Sequence, residues 1–284
     1  MATLSNSLQD HISKHVQASL EEDIGSGDIT AKLIPTDNTL TALVISREPA
    51  VLCGRAWADE VFAQLDPSVS LEWLADDGDE LTPNEPFLKL SGNARSILTG
   101  ERTALNYIQM LSYTATISRH YANMVQDASL TILDTRKTIP SLRLAQKYAI
   151  KVGGASNHRV GLYDAFLIKE NHIMAAGSIS AAVTQAQSIA PGKTIEVETE
   201  NLVEVEEAVN AGADIIMLDN FSLDDMRFAV NKYQSKVKFE ASGNMTDAHI
   251  KDVASTGVDF ISVGALTKHV QAIDLSLRVV KEDI

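Results

Sequence analysis

A chain of 284 residues that is 45% hydrophobic can bury one large core or two. Its formal net charge of −14 argues against a nucleic-acid partner, which needs a broad basic surface. No apolar run approaches the roughly 18 residues of a membrane span, residues 1–10 lack the pattern of a signal peptide, and the lone Cys53 excludes a disulfide framework and a Cys-rich metal site, so a soluble cytoplasmic protein is expected.

Leu8, Ile12, Val16 and Leu20 recur at helical spacing, and Glu21-Glu22-Asp23 before Gly25 marks the end of that first helix. Leu40 to Ser46 alternates as a strand does; Ala50–Leu52, Val69–Leu74 and Phe87–Leu90 also read as strands. Asp66-Pro67, Asp77-Gly78-Asp79 and Pro83-Asn84 supply the turns between them. From Ala94 to about Val125 the pattern is helical, with a break into two helices predicted near Ser112-Tyr113. The chain divides near residue 113, after an α+β region.

Beyond it, short β-branched runs alternate with amphipathic helices. The runs are Leu130–Leu133, Phe166–Ile168, Thr194–Val197, Ile215–Leu218, Val237–Phe239 and Phe260–Val263. The helical segments are Ile179–Ile189, Leu202–Ala211, Leu223–Tyr233 and Ala248–Ser255. This rhythm predicts parallel strands with crossover helices, and the lack of a Gly-rich dinucleotide fingerprint favours an α/β barrel over a doubly wound sheet. Each run ends in polar residues: Asp134-Thr135-Arg136-Lys137, Lys169-Glu170-Asn171-His172, Glu198, Asp219-Asn220, Ser242-Gly243 and Gly264. The carboxyl ends of barrel strands share one face, where active sites form.

Between Leu133 and His172 this acidic chain gathers Arg136, Lys137, Arg143, Lys147, Lys151, His158, Arg159, Lys169 and His172 against Asp134, Asp164 and Glu170. Arg143, Lys147 and Lys151, spaced by four, predict a solvated basic helix face. Arg136, Lys137, His158, Arg159 and Lys169 together could grip a small ligand bearing two carboxylates, since fixed Arg and Lys donors recognise carboxylate and phosphate. His158 is equally readable as a satisfied structural histidine; with Asn157 and Arg159 it follows Gly153-Gly154, which predicts a flexible loop. Glu198 and Asp219 suit Mg²⁺, which takes oxygen ligands and brings phosphate with it, while an ion pair for Glu198 and a helix N-cap for Asp219 are the structural alternatives. The histidines lack the spacing of a zinc site. Ser242-Gly243-Asn244 and Gly264, on consecutive βα units, could cradle a phosphate. Lys169 at a strand end also admits a Schiff-base aldolase as a rival.

Larger motifs then carry a resemblance. Glu22-Asp23-Ile24-Gly25, Gly27-Asp28-Ile29-Thr30, Glu101-Arg102-Thr103-Ala104-Leu105-Asn106, Asp134-Thr135-Arg136-Lys137-Thr138, Asn157-His158-Arg159, Gly161-Leu162-Tyr163-Asp164, Leu167-Ile168-Lys169-Glu170-Asn171-His172, Glu196-Val197-Glu198, Leu218-Asp219-Asn220, Glu240-Ala241-Ser242-Gly243 and Gly264-Ala265-Leu266-Thr267 follow one another in the order of the quinolinate phosphoribosyltransferases. The sequence thus resembles that family, also called nicotinate-nucleotide pyrophosphorylase (carboxylating), over nearly its whole length.

The resemblance implies an N-terminal open α+β sandwich at 1–113 and an incomplete, seven-stranded α/β barrel at 114–270, one strand more than periodicity finds. It also implies a C-terminal helix at about 271–284 packed back on the first domain, and a head-to-tail homodimer. The implied reaction joins quinolinate to phosphoribosyl pyrophosphate with Mg²⁺, giving nicotinate mononucleotide, pyrophosphate and carbon dioxide. Its site would comprise Lys137, Lys169, Glu198 and Asp219 as catalytic groups, with Thr135, Arg136, His158 and Arg159 on the substrates. Ser242, Gly243, Asn244 and Gly264 would take the 5′-phosphate, and Arg102 would come from the partner subunit. The sequence departs from the family at Ser112-Tyr113 (usually Ser-Gly), Asn84 (usually Gly), Ala155 within a Gly run, and Lys268-His269.

Overall fold

A computed structural model describes residues 5–280, apart from 127 and 244, in two units. The first comprises residues up to 119 with 144–153 and those from 269 onward; the second comprises 120–143 and 154–268. These two units divide inside a helix, between residues 119 and 120, and the 144–153 segment belongs to the first unit.

In the first unit, α1 (Asn6–Ile24) buries Ile12, Val16 and Leu20, as their spacing predicts. The Ser5 side chain accepts from Leu8 N at its start, and Gly25 ends it at φ 51°. The antiparallel sheet has the order β12 (Leu275–Val279), β1 (Thr39–Ser46), β5 (Pro86–Asn93), β3 (Ser70–Trp73), while β2 (Ala50–Val51) pairs with β4 (Glu80–Leu81). A helix that periodicity does not find, α2 (Arg55–Leu65), buries Trp57, Ala58, Val61 and Phe62.

Two expectations fail here for visible reasons. The C-terminal helix expected at about 271–284 is not formed over 271–280, where Leu275–Val279 is a strand whose alternating Leu-Ser-Leu-Arg-Val completes a ladder along β1 from Ala42↔Val279 to Ser46↔Leu275; 281–284 lie outside the described residues. The predicted break at Ser112-Tyr113 is absent, because α3 (Ala94–Met124) runs unbroken for 31 residues. Its polar residues find partners without leaving the helix. Ser112 Oγ accepts from Cys53 N at 2.9 Å and donates to Cys53 O, and Thr114, Thr116 and Ser118 each donate to the carbonyl four residues back.

A third correction concerns α4 (Arg143–Val152), expected to present a solvated basic face. Lys147 is 1% exposed, in a helix that buries Ala145 and Ala149 on its opposite side as well. Arg143 is half-buried, donating to Thr138 Oγ1 at 3.1 Å and Val160 O at 3.2 Å. Only Lys151 is exposed. A spacing of four places charges on one side of a helix but does not say which side faces water.

The second unit holds a parallel sheet in the order β6 (Thr131–Leu133), β11 (Phe260–Ser262), β10 (Lys238–Ser242), β9 (Ile215–Asp219), β8 (Ile195–Thr199), β7 (Phe166–Ile168). The crossover helices α6 (Ile179–Ile189), α7 (Leu202–Ala211) and α8 (Leu223–Tyr233) keep the predicted bounds, and α9 spans Asp247–Ala254. Ser178, Asn201 and Ser222 accept from helix N–H groups at their starts, and Gly177 and Gly212 close α5 (Glu170–Ala176) and α7 in the left-handed region. The seventh strand is reduced to one residue: Ser156 bridges β6 in parallel at Leu133, with Ser156 N donating to Ile132 O and Asp134 N to Ser156 O. Periodicity cannot detect an element of that length.

Candidate active site

All six strand ends and the Ser156 segment contribute to one cavity of about 330 Å³. Thr135, Arg136 and Lys137 follow β6; His158 and Arg159 follow the bridge; Leu167 and Lys169 come from β7 and its end; Glu198, Met217, Glu240, Ser242 and Ser262 come from the next four strands. The structure therefore brings together eight of the expected site residues. Gly243 and Gly264 stand just behind this wall. A Cβ at Gly264 would lie 3.4 Å from Lys137 Cδ, and one at Gly243, already at φ 99°, would lie 2.2 Å from Asn220 Oδ1. No side chain fits at Gly243. Asn244 lies outside the described residues, and Asp219, half-buried at the end of β9, accepts from Asn220 Nδ2 at 3.0 Å. Asp219 does not cap α8, since Ser222 does. Arg102, on α3, is 58% exposed, with Glu101 3.9 Å away.

Lys169 Nζ is ion-paired with Glu198, so the ion-pair alternative for Glu198 is realised, inside the cavity wall. That pairing occupies the nitrogen a Schiff-base nucleophile would need free for a carbonyl. Thr135 Oγ1 accepts from Lys137 N at 3.1 Å and shapes the turn that carries the two cations.

The segment carrying His158 and Arg159 is tied down rather than free as its glycines suggest. The fully buried Asp134 accepts from His158 N at 2.8 Å, and Asp164 accepts from Val160 N at 2.7 Å and Gly161 N at 3.1 Å. His158 borders the cavity, yet both ring nitrogens meet protein atoms. Nδ1 accepts from Arg159 N at 2.7 Å, and Nε2 lies 2.8 Å from Glu196 Oε2 and 3.4 Å from Glu240 Oε2. Burial opposes charge on the ring and the two glutamates favour it, but Nδ1, as acceptor from Arg159 N, keeps its lone pair, so the single ring proton sits on Nε2 toward Glu196. Burial first, and Glu240 next to it, push Glu196 up to about 7 against the pull of His158. The Arg159 guanidinium is lowered by burial and by the like charge of Arg136, with Glu196 and Asp164 opposing.

Glu196 and Glu240 carry no role in the sequence reading. Their signal is the alternation: each is two residues from a cavity residue, Glu198 or Ser242, on the same face of a strand. With His158 they also form a donor group whose atoms lie within 4.8 Å of one another, so this histidine is not isolated from carboxylates as its sequence position suggests.

Residues 28–112 match the family described as quinolinate phosphoribosyl transferase, N-terminal domain, and residues 114–278 match its C-terminal domain. The chain belongs to the quinolinate phosphoribosyltransferase family. It is 43% identical to the protein of Synechocystis sp. named "Probable nicotinate-nucleotide pyrophosphorylase (carboxylating)", over 94% of this chain and 92% of that one. The Bacillus subtilis protein of the same name is 41% identical over 91% and 90%. A solved nicotinate-nucleotide pyrophosphorylase of Francisella tularensis shares the fold with a TM-score of 0.93 and 51% identity, covering 96% of this chain and 97% of that one.

Departures from the quinolinate phosphoribosyltransferase pattern now have local accounts. Asn84 stands where glycine is usual and adopts φ 67°, a region asparagine tolerates better than most residues. Tyr113 sits inside α3, where no glycine is needed, and Ala155 is buried beside the Ser156 bridge.

Proposed function

We propose that the cavity at the strand ends is where this quinolinate phosphoribosyltransferase joins its two substrates. The enzyme transfers the phosphoribosyl group of phosphoribosyl pyrophosphate to quinolinate with decarboxylation, giving nicotinate mononucleotide, pyrophosphate and carbon dioxide, a step of NAD biosynthesis. The observation that carries the assignment to this cavity is the meeting of Arg136, Lys137, Arg159 and Lys169 in one wall of a chain with net charge −14. Cations gathered against the overall charge have an anionic ligand as their purpose.

Arg136 and Arg159 take the quinolinate carboxylates as guanidinium forks, and Lys169 adds a point charge. Lys137, beside Gly264, faces the phosphate groups, and Ser242, Gly243 and Gly264 hold the 5′-phosphate together with Asn244. The pyridine nitrogen attacks the anomeric carbon as pyrophosphate leaves, with positive charge developing on the sugar ring. Glu198 and Asp219, at the carboxyl ends of neighbouring strands, stabilise that charge and the ribose hydroxyls. The nitrogen's acquired positive charge then stabilises the carbanion left on the adjacent ring carbon as the carboxylate departs as carbon dioxide, and that carbon takes a proton from solvent to give nicotinate mononucleotide. Positioning is the protein's main contribution, an effect of roughly 7–11 kcal/mol in well-oriented systems.

The oxygen-only pair Glu198 and Asp219 fits Mg²⁺, with phosphates and water completing the shell. When bound, the ion neutralises pyrophosphate charge. Arg102, more than half exposed on α3, is assigned to quinolinate in the partner subunit, which makes a homodimer the active form. A cytoplasmic location accords with the single buried thiol, Cys53, and with the absence, among the described residues, of any helix long and apolar enough to cross a membrane.

One assay tests this reading. Carbon dioxide release from quinolinate is expected only with phosphoribosyl pyrophosphate present, to stop in EDTA and to resume with Mg²⁺. Release without the phosphoribosyl donor removes the transfer reaction, and full activity in chelator removes the metal.

A further inference from the structure

Glu240 in the cavity wall and Glu196 beside it are not used by the reaction as derived. Glu196 and Glu240 are 3% and 0% exposed, and Glu196 Oε1 and both carboxylate oxygens of Glu240 are buried with no hydrogen-bond partner among the described residues. Buried carboxylates with unsatisfied oxygens weaken a fold, and apolar residues of similar volume are often more stable in their place. Their retention at a binding cavity points to a role for their charge.

Both reach the same atom, Nε2 of His158, at 2.8 and 3.4 Å. The opposite ring nitrogen accepts the main-chain N–H of Arg159 at 2.7 Å. A hydrogen-bonded path thus runs from Glu196 through one imidazole to a residue whose guanidinium lines the cavity, with the Glu240 carboxylate in charge contact with the same imidazole nitrogen. That guanidinium feels Arg136 as a like charge, and Glu196 and Asp164 are the groups that oppose it. Two guanidiniums held close for a dicarboxylate repel each other while the cavity is empty. Without negative charge nearby, Arg159 would relax outward and the ligand would have to draw it back, weakening binding.

We propose that Glu196 and Glu240 are positioning residues that act through His158 to hold Arg159 beside Arg136 in advance of the ligand, setting affinity for the pyridine dicarboxylate and not for the phosphoribosyl donor. The proposal rests on the reading of this cavity as the quinolinate site.

The test uses full-length Glu196→Gln and Glu240→Gln proteins, alone and combined with Arg159→Ala, with thermal melting to confirm folding. Each single variant is expected to raise the quinolinate KM about tenfold while the phosphoribosyl pyrophosphate KM stays within about twofold. In the Arg159→Ala background the same substitution should add less than about twofold, because the residue it acts on is gone. Calorimetry with phthalate, a dicarboxylate without the ring nitrogen, should repeat the pattern in the absence of turnover. Unchanged quinolinate KM, equal rises for both substrates, or full additivity with Arg159→Ala overturns the proposal. Should Glu196→Gln fail to fold, Glu240→Gln carries the same expectation. Binding is measured apart from carbon dioxide release, so the two failures differ: loss of the catalytic reading leaves phthalate affinity sensitive to Glu196, and loss of this proposal does not.

Discussion

Arg136 and Arg159 show how single residues acquire a role from their surroundings. Each is one cation among many in the sequence, but here they share a cavity wall and sense each other's charge. A guanidinium–carboxylate fork contributes on the order of 1.5–3 kcal/mol, so Arg136→Ala is expected to raise the quinolinate KM by roughly 10–100-fold or abolish turnover. Unchanged steady-state constants would remove Arg136 from the site. Asp28 acts on stability instead. Its carboxylate accepts from Thr30 N and Ala31 N at 2.9 Å, capping the short turn that follows, and from Thr99 Oγ1 at 2.9 Å. The Ala31 N–H, first among these donors, holds its pKa below the usual 3.8. A carboxyl whose folded value is depressed adds stability that is complete above its unfolded value and is lost as pH falls through the folded one. Asp28→Ala should therefore melt below the parent protein at pH 7, with the gap closing below pH 3.8; a gap that widens in acid contradicts this account.

At the scale of elements, the helices α6, α7 and α8 were legible residue by residue, because each has an amphipathic pattern bounded by a side-chain cap or a glycine. What periodicity missed were elements that depend on a neighbour. The β12 strand is five residues long and exists through its ladder with β1, and α3 stays whole because Ser112 bonds to Cys53 rather than to its own turn. Gly153 marks another such dependence. A Cβ there would lie 2.3 Å from Ala115 O and 2.5 Å from Ser118 Cβ, so α4 and α3 approach as closely as they do only because the side chain is absent. Gly153→Ala should lower the urea midpoint by an amount equivalent to about 1–3 kcal/mol, the usual effect of overpacking. A midpoint unchanged from the parent would mean that the two helices separate freely.

At the scale of the whole molecule, the proposed contribution of the exposed Arg102 to a partner's cavity makes a prediction about mixed subunits. Mixing Arg102→Ala with Lys169→Ala protein should then restore activity in hybrid dimers, in which one of the two cavities has a full set of residues. Persistent inactivity after demonstrated subunit exchange excludes a shared site. The convergence of the cavity itself was anticipated by a topological rule: strands run parallel, so their carboxyl ends, with Arg136, Lys169, Glu198 and Ser242, share a face. The depth of each residue below that face was not. Asp219 sits at a strand end as expected yet outside the cavity wall, while Glu240, unassigned in sequence, lies within it.

The sequence by itself determined the alternation of strands and helices and which residues would stand at the strand ends, since these follow from short-range periodicity and residue chemistry, and the order of its motifs carried the resemblance to the family. Tertiary structure decided the partners: Lys147 inside and Lys151 outside one helix, Lys169 on Glu198, and His158 turned to Glu196 and Glu240. Burial and pairing depend on groups tens of residues away, and the pattern along a single segment carries no record of what will come to lie against it.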